Sequence, residues 1–149
     1  MREKAHIPAS LRRASAEWFG FRCAYCRSPE ILVNSFFEVD HIVPESAGGN
    51  TTEDNLAYAC AVCNRFKRAR TLARDPLSGR TVRLYHPRNQ RWERHFGWAS
   101  GGRYIVGRTA TGRATVLALQ LNCDFQLRRR ELWLTLGLAP PDWNAEFLV

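Results

Sequence analysis

Two Cys-X-X-Cys motifs constrain the fold of this chain more than any other feature. Each motif puts two thiols into one tight turn, and paired motifs of this kind are typical of zinc sites with four cysteine ligands. We therefore predict a structural zinc ion held by Cys23, Cys26, Cys60 and Cys63. A redox-active dithiol and unpaired buried cysteines are the alternatives. Zinc is favoured because a segment of about fifty residues is close to the size below which domains need a metal or disulfides to fold.

The redox environment is inferred from what the chain lacks. No run of residues approaches the ~20 apolar positions that cross a bilayer, and Met1-Arg2-Glu3-Lys4 does not begin a signal peptide. We therefore expect a cytoplasmic protein with no membrane partner. In a reducing cytosol, paired CxxC motifs are metal sites more often than disulfides. The fifth cysteine, Cys123, has apolar neighbours and is expected to be a small buried side chain.

The segment around the two motifs predicts two strands and a helix. Residues 36–43 are rich in β-branched and aromatic side chains and end at a proline. Residues 56–59 fit a second strand, antiparallel to the first. Asn64 is expected to begin a helix that runs to about Arg74. A further helix over residues 9–19, with Leu11, Ala14 and Trp18 on its buried face, is expected to cover this core.

The pattern changes after residue 76, so we divide the chain into a core with its N-terminal helix, residues 1–76, and a small C-terminal α/β extension, residues 77–149. The extension is expected to pack on the core. Its predicted elements are strands over 81–85 and 104–106 and helices over 87–98, 111–121 and 124–136. The fold class predicted for the whole chain is α+β.

Polar residues at fixed positions between and after the cysteines identify a family. At Asp40-His41, at Asn55 and at Cys60-Ala61-Val62-Cys63-Asn64-Arg65-Phe66-Lys67 the sequence resembles the HNH endonucleases. More narrowly, it is similar to their CxxC-bearing branch, whose fold is the ββα-metal motif. The resemblance covers about residues 20–70. The last motif position, a histidine in the name-giving pattern, is Asn64 here, so this chain is HNN-like.

The resemblance implies a role for each of these polar residues. Asp40 is expected to bind a catalytic metal ion, and His41 to act as the general base. Asn55 is expected to brace the loop and orient the histidine, and Asn64 to be the second metal ligand. Two oxygen ligands suit Mg²⁺, with Mn²⁺ as a substitute.

The proposed roles agree with the chemistry of phosphodiester hydrolysis. An imidazole can take a proton from water near neutral pH, and a cation can neutralise the charge that develops on the phosphate. Side-chain alternation along a strand, however, sends Asp40 and His41 to opposite faces. The two residues can therefore serve one site only where the strand ends.

A formal net charge of +8 and a pI of about 9.8 favour nucleic acid as the partner. The predicted contacts to the phosphate backbone follow the last motif residue and are Arg65, Lys67, Arg68 and Arg70. For any one of them, a solvated helix face is the alternative.

We therefore predict a zinc-stapled, Mg²⁺- or Mn²⁺-dependent endonuclease that cleaves DNA, with duplex DNA as the expected substrate. The alternative is a non-catalytic, zinc-stapled module that binds nucleic acid. The combination of Asp40, His41 and Asn64 favours catalysis, because a module that only binds has no need of all three. A bacteriocin-type toxin is a third reading, which the structural cysteines count against. DNA against RNA, nicking against double-strand cleavage, and the oligomeric state stay open at this point.

Overall fold

Three antiparallel two-stranded sheets and five helices make up the described part of the chain, residues 6–32 and 37–140 of a computed structural model. The elements, in chain order, are α1 (Ala9–Trp18), β1 (Glu38–His41), β2 (Leu56–Ala59), α2 (Ala61–Lys67), β3 (Leu72–Arg74), β4 (Thr81–Arg83), α3 (Trp92–His95), β5 (Phe96–Ala99), β6 (Tyr104–Gly107), α4 (Ala110–Ala118) and α5 (Asp124–Thr135). The predicted α+β class is confirmed. No helix in these residues is long and apolar enough to span a bilayer.

The β1–β2 hairpin forms the base of the N-terminal half. The strands pair in the register Glu38 with Ala59 and His41 with Leu56. All four residues of β2 are buried, because the strand lies between β1 and α1 and its side chains are apolar or aromatic. β1 has only Val39 buried and leaves its polar residues at the surface. The predicted hairpin is therefore confirmed for residues 38–41 and 56–59. The first strand is shorter than the predicted 36–43, because residues 37, 42 and 43 are not part of it, and residue 36 lies outside the described residues.

Helix α1 confirms the predicted helix and ends before Gly20, whose φ is +63°. Its buried face agrees with the predicted one only in part, since Leu11 packs against the core but Trp18 does not. Ser15 and Ala16 are buried, whereas Trp18 is 55% exposed. The Arg88 guanidinium lies 4.4 Å from the centre of the Trp18 ring and also donates to Ser15 Oγ at 3.2 Å. Trp18 thus lies at the surface in contact with an arginine that is distant in sequence, which the periodicity of α1 does not predict.

Helix α2 is shorter than predicted and begins earlier. It begins at Ala61, with Cys60 as its N-cap, and ends at Lys67 because Arg68 takes a positive φ of +55°. The predicted continuation of the helix to Arg74 is wrong, since residues 72–74 form β3 and pair with β4. Helix propensity is local, whereas this strand depends on a partner that arrives later in the chain.

The same reason explains a second error in the extension. The predicted helix over 87–98 is reduced to the single turn α3, and Phe96–Ala99 forms β5, which pairs with β6. The strand places Trp98 against the buried Trp133 of α5, with ring centres 5.9 Å apart. The other predicted elements of the extension are present as β4, β6, α4 and α5.

Several contacts join the extension to the core. Trp92 Nε1 donates to Tyr25 O at 2.9 Å. The Arg113 guanidinium makes a two-pronged ion pair with Asp75, at 2.9 and 3.0 Å. Arg113 and the Ser78 hydroxyl hold the pKa of Asp75 well below its ordinary value. The β3–β4 hairpin spans residue 76, so the two parts are joined by ordered structure; the division at this residue stays a prediction.

Candidate metal centre and catalytic site

The four cysteines of the CxxC motifs come together in one buried cluster. Their Sγ atoms all lie within 4.8 Å of one another, and Cys26 Sγ is 3.7 Å from Cys60 Sγ. Four sulfurs around a tetrahedral zinc ion, with bonds of about 2.3 Å, are about 3.8 Å apart. All four thiols are free and buried. The cluster therefore fits the predicted zinc ion, whereas Cys123 lies outside it and is only partly buried.

Backbone hydrogen bonds hold the two cysteine turns in place. Ala24 N donates to Tyr58 O at 2.8 Å, which fastens the first turn to β2. Cys23 N donates to Ser28 O at 2.9 Å and closes that turn. The second turn is the start of α2, where Cys63 N donates to Cys60 Sγ at 3.4 Å. The cysteine cluster and the hairpin that carries the polar motif residues are therefore built on the same strand, β2.

Two side chains of α5 reach the cysteine cluster, and sequence reasoning missed both. Arg129 Nη2 lies 3.3 Å from Cys26 Sγ and 3.2 Å from Cys60 Sγ. Gln126 Nε2 lies 3.5 Å from Cys63 Sγ. Burial lowers the pKa of Arg129, but the charges of the thiolates outweigh burial and leave this pKa above its ordinary value. The only available signal was the spacing of Gln126 and Arg129, which puts them one turn apart on one helix face.

A second group of polar side chains lies where α2 crosses β1. Asn64 Nδ2 donates to the Glu38 carboxylate, and Lys67 Nζ is 4.0 Å from Asp40 Oδ2. Glu38 and Asp40 are two residues apart and so share one face of the strand. The structure therefore brings Asp40 and Asn64 to the same side of β1. Glu38 is a further member of this group that the sequence analysis did not single out.

His41 occupies the last pair of the hairpin, at the point where β1 ends. Its Nε2 atom is 2.8 Å from Thr51 Oγ1 and 3.6 Å from Glu45 Oε1. Lys67 Nζ donates to the carbonyl oxygens of His41 and Ile42, at 3.4 and 3.2 Å. The His41 ring is thus bound by Thr51 in the loop, whereas the neighbouring Asp40 faces Lys67 of α2. Any site that uses both residues therefore lies across the end of β1.

Asn55 closes the loop between the two strands. Its Oδ1 accepts from Val43 N at 2.9 Å, and its Nδ2 donates to Val43 O at 3.0 Å and to Asn50 O at 2.8 Å. The Asn55 amide thus takes part in three hydrogen bonds that hold the loop between β1 and β2. This loop contains Thr51, the hydrogen-bond partner of His41. The orientation of His41 through this loop stays a proposal.

Replacement of Gly49 by alanine is expected to distort this loop. A Cβ atom at Gly49 meets Val43 O at 1.8 Å and Asn55 Nδ2 at 2.9 Å, so backbone must move to make room. Overpacking of this kind costs typically about 1–3 kcal/mol. Thermal denaturation measures the loss, with the exposed Ser46→Ala as the control in the same loop. An unchanged melting temperature for Gly49→Ala contradicts the expectation.

The predicted phosphate contacts occupy two kinds of position. Arg65, Arg68 and Arg70 are exposed. Arg70 Nη2 also donates to Ala118 O at 2.9 Å. Lys67 is only 3% exposed, and burial lowers its pKa while Asp40 raises it. The contacts of Lys67 with the end of β1 give it a role inside the domain, and its contact with phosphate stays a prediction.

Comparisons with known proteins match the segment of the chain that contains these residues. A family model described as HNH endonuclease matches residues 23–70. A CRISPR-associated endonuclease Cas9 from Corynebacterium diphtheriae is 39% identical over 74 residues, which are 45% of this chain and 7% of that protein. The chain thus spans a small part of this relative. No solved structure matches the chain. The matched segment contains the cysteine cluster, the hairpin and α2, and we conclude that residues 23–70 form a domain of the HNH endonuclease family.

Proposed function

We propose that this domain hydrolyses phosphodiester bonds in DNA, with His41 as the general base and with a Mg²⁺ or Mn²⁺ ion held by Asp40 and Asn64. One observation carries the proposal. The crossing of α2 over β1 puts Asp40 and Asn64 on one side of the strand, at the end where His41 is held by Thr51. In this proposal residues 1–76 are the nuclease core, and residues 77–149 are an extension packed on it.

The donor set of Asp40 and Asn64 suits a hard divalent ion. Both side chains offer oxygen atoms, and Asp40 is 22% exposed, which leaves room for water and phosphate ligands. Because Asn64 donates its amide nitrogen to Glu38, its Oδ1 atom is directed away from that carboxylate. A bound ion supplies positive charge to the scissile phosphate and to the leaving oxygen.

His41 has the hydrogen bond that a general base needs for its orientation. If Nε2 carries the proton and donates to Thr51 Oγ1, the Nδ1 atom keeps its lone pair and can accept a proton from water. In the described part of the chain, the recorded hydrogen bonds of this ring involve Nε2 alone. The threonine thus selects the tautomer in this proposal.

DNA is the proposed substrate because of charge and family. The exposed Arg65 and Arg68 lie on and just after α2, next to Asn64, and the chain carries a net charge of +8. Exposed guanidinium groups beside a phosphate-cleaving site suit contacts with the sugar–phosphate backbone, which hold the substrate without reading its sequence. Duplex DNA is the form that we propose to be cleaved.

Cleavage of supercoiled plasmid by the full chain tests the proposal. Nicked or linear DNA is expected with Mg²⁺ or Mn²⁺, and none is expected with EDTA. Salt-sensitive binding of DNA is measured in parallel by a gel shift. Binding without cleavage in either ion overturns the proposal and favours the non-catalytic nucleic-acid-binding module.

Replacement of Glu38 by alanine is expected to weaken metal use. Without the Glu38 carboxylate the amide of Asn64 loses its hydrogen-bond acceptor, and loss of such a supporting group typically costs about 10–100-fold in metal affinity or activity. Plasmid cleavage measured against Mg²⁺ concentration reports the change, and a higher ion concentration is expected to restore part of the rate. The control is Glu17→Ala on the exposed face of α1. The same Mg²⁺ requirement in Glu38→Ala and wild type speaks against the positioning role.

A further inference from the structure

Helix α5 covers the cysteine cluster with two buried polar side chains, Gln126 and Arg129. They form a chain of hydrogen bonds, because Arg129 Nη2 also donates to Gln126 Oε1 at 2.8 Å. This bond directs the Gln126 amide nitrogen towards Cys63 Sγ, while Arg129 itself is shared between Cys26 and Cys60. Three of the four sulfurs therefore lie within hydrogen-bond distance of an N–H donor of α5, with Cys26 and Cys60 sharing Arg129 Nη2.

The buried position of Arg129 on α5 is explained by the negative charge of the cysteine cluster that it contacts. Arg129 is 8% exposed, and within residues 6–32 and 37–140 it makes no ion pair with a carboxylate. A buried guanidinium is costly unless an anion compensates it. Four thiolates around one divalent zinc ion carry a net negative charge of two. The loaded cluster is therefore the anion that Arg129 faces.

We infer that Gln126 and Arg129 are outer ligand-supporting residues of the zinc centre, and that the C-terminal extension serves to retain the metal. Hydrogen bonds to thiolate sulfur draw negative charge from the ligands and hold their orientation, as supporting groups do in other metal sites. The coupling is reciprocal, so the loaded cluster also favours the docked position of α5. The inference concerns metal retention and does not depend on the proposed nuclease activity.

Release of zinc from the full chain tests the inference. The zinc-loaded protein is mixed with an excess of a coloured chelator, 4-(2-pyridylazo)resorcinol, and the absorbance of the zinc complex is followed. Arg129→Met keeps an unbranched, apolar stem but removes the donors and the charge, and it is expected to lower zinc affinity about 10–100-fold and to speed release accordingly. Arg129→Lys keeps the charge without the planar fork and is expected to lie between the two.

The neighbouring Arg128 is exposed on the same helix, so Arg128→Met is the matched control. Wild-type release in Arg129→Met, or equally fast release in Arg128→Met, overturns the inference. If Arg129→Met does not fold, Gln126→Leu decides the matter, because it removes the contact with Cys63 and the acceptor of Arg129 Nη2 while it leaves the charge unchanged. Faster release than wild type in that variant supports the inference, and wild-type release overturns it.

A spectroscopic measurement separates this role from general destabilisation. With Co²⁺ in place of zinc, the thiolate-to-metal charge-transfer band is expected to move to lower energy in Arg129→Met, because the sulfurs lose donors that withdraw charge. A purely structural role of Arg129 predicts an unshifted band in the folded variant, and that result contradicts the inference.

Discussion

Replacement of Cys60 by serine is expected to unfold the N-terminal half of the protein. Cys60 is one of four buried thiols in the cluster and also the N-cap of α2. Structural zinc in small domains contributes an apparent free energy of folding of about 10–16 kcal/mol. Whole domains are stable by only about 5–15 kcal/mol. Loss of the metal is therefore expected to remove the folded state.

The choice of serine isolates the effect of the metal. Serine is among the preferred N-cap residues, so helix α2 keeps its cap while the cluster loses a thiolate. The expected results are no zinc by elemental analysis, where the wild type holds one ion per chain, and loss of the cooperative thermal transition in circular dichroism. Full zinc occupancy together with a wild-type transition in Cys60→Ser contradicts a structural zinc centre.

Cys123 provides the matched control, because it is the N-cap of α5 and lies outside the cluster. Cys123→Ser is expected to keep one zinc ion per chain and a melting temperature close to that of the wild type. Both substitutions exchange a thiol for a hydroxyl at the N-cap of a helix. A difference between them therefore reports the cluster and not the chemistry of the exchange.

Replacement of His41 by alanine is expected to reduce DNA cleavage about 10²–10⁴-fold, the usual contribution of a general base. The side chain lies at the end of β1, is 11% exposed and is hydrogen-bonded to Thr51 Oγ1. The end of β1 and the loop after it are held by hydrogen bonds of the Lys67 and Asn55 side chains, which this substitution leaves in place. Thermal stability and DNA binding are therefore expected to change little.

The measurement is the rate of plasmid nicking at saturating Mg²⁺, with the melting temperature of each variant determined in parallel. His6→Ala, at an exposed position, controls for contaminating nuclease and for the loss of an imidazole as such. Cleavage by His41→Ala at the rate of His6→Ala assigns the base to another residue. A large fall in the melting temperature of His41→Ala also counts against the proposed role, because it makes this histidine structural.

The structural features that could be predicted from the sequence are those that depend on residues close together in the chain. The CxxC spacing led to the four-cysteine cluster, and the composition of residues 38–41 and 56–59 led to the hairpin. In each case the residues that decide the structure are neighbours in the chain, or repeat one short motif. The HNH domain was recognisable for the same reason, because its polar residues stand at fixed positions around these elements.

The features that were not predictable depend on partners that are distant in sequence. Residues 72–74 and 96–99 looked helical, and each became a strand because another strand follows it and supplies the hydrogen bonds. Trp18 fits the apolar stripe of α1, yet it is exposed and contacts Arg88, a residue 70 positions later in the chain.

The sequence by itself determined the four-cysteine cluster and the hairpin and helix that carry it, because the cysteine motifs and the strands are encoded within a few residues of each other. Only the tertiary structure decided what completes the two sites. Glu38 meets Asn64 through the crossing of β1 and α2, and Arg129 meets the thiolates from far along the chain. For Arg129 the physical reason is that the cost of a buried charge depends on what surrounds it in space, and for Glu38 and Asn64 it is that the crossing of two elements brings a donor to an acceptor.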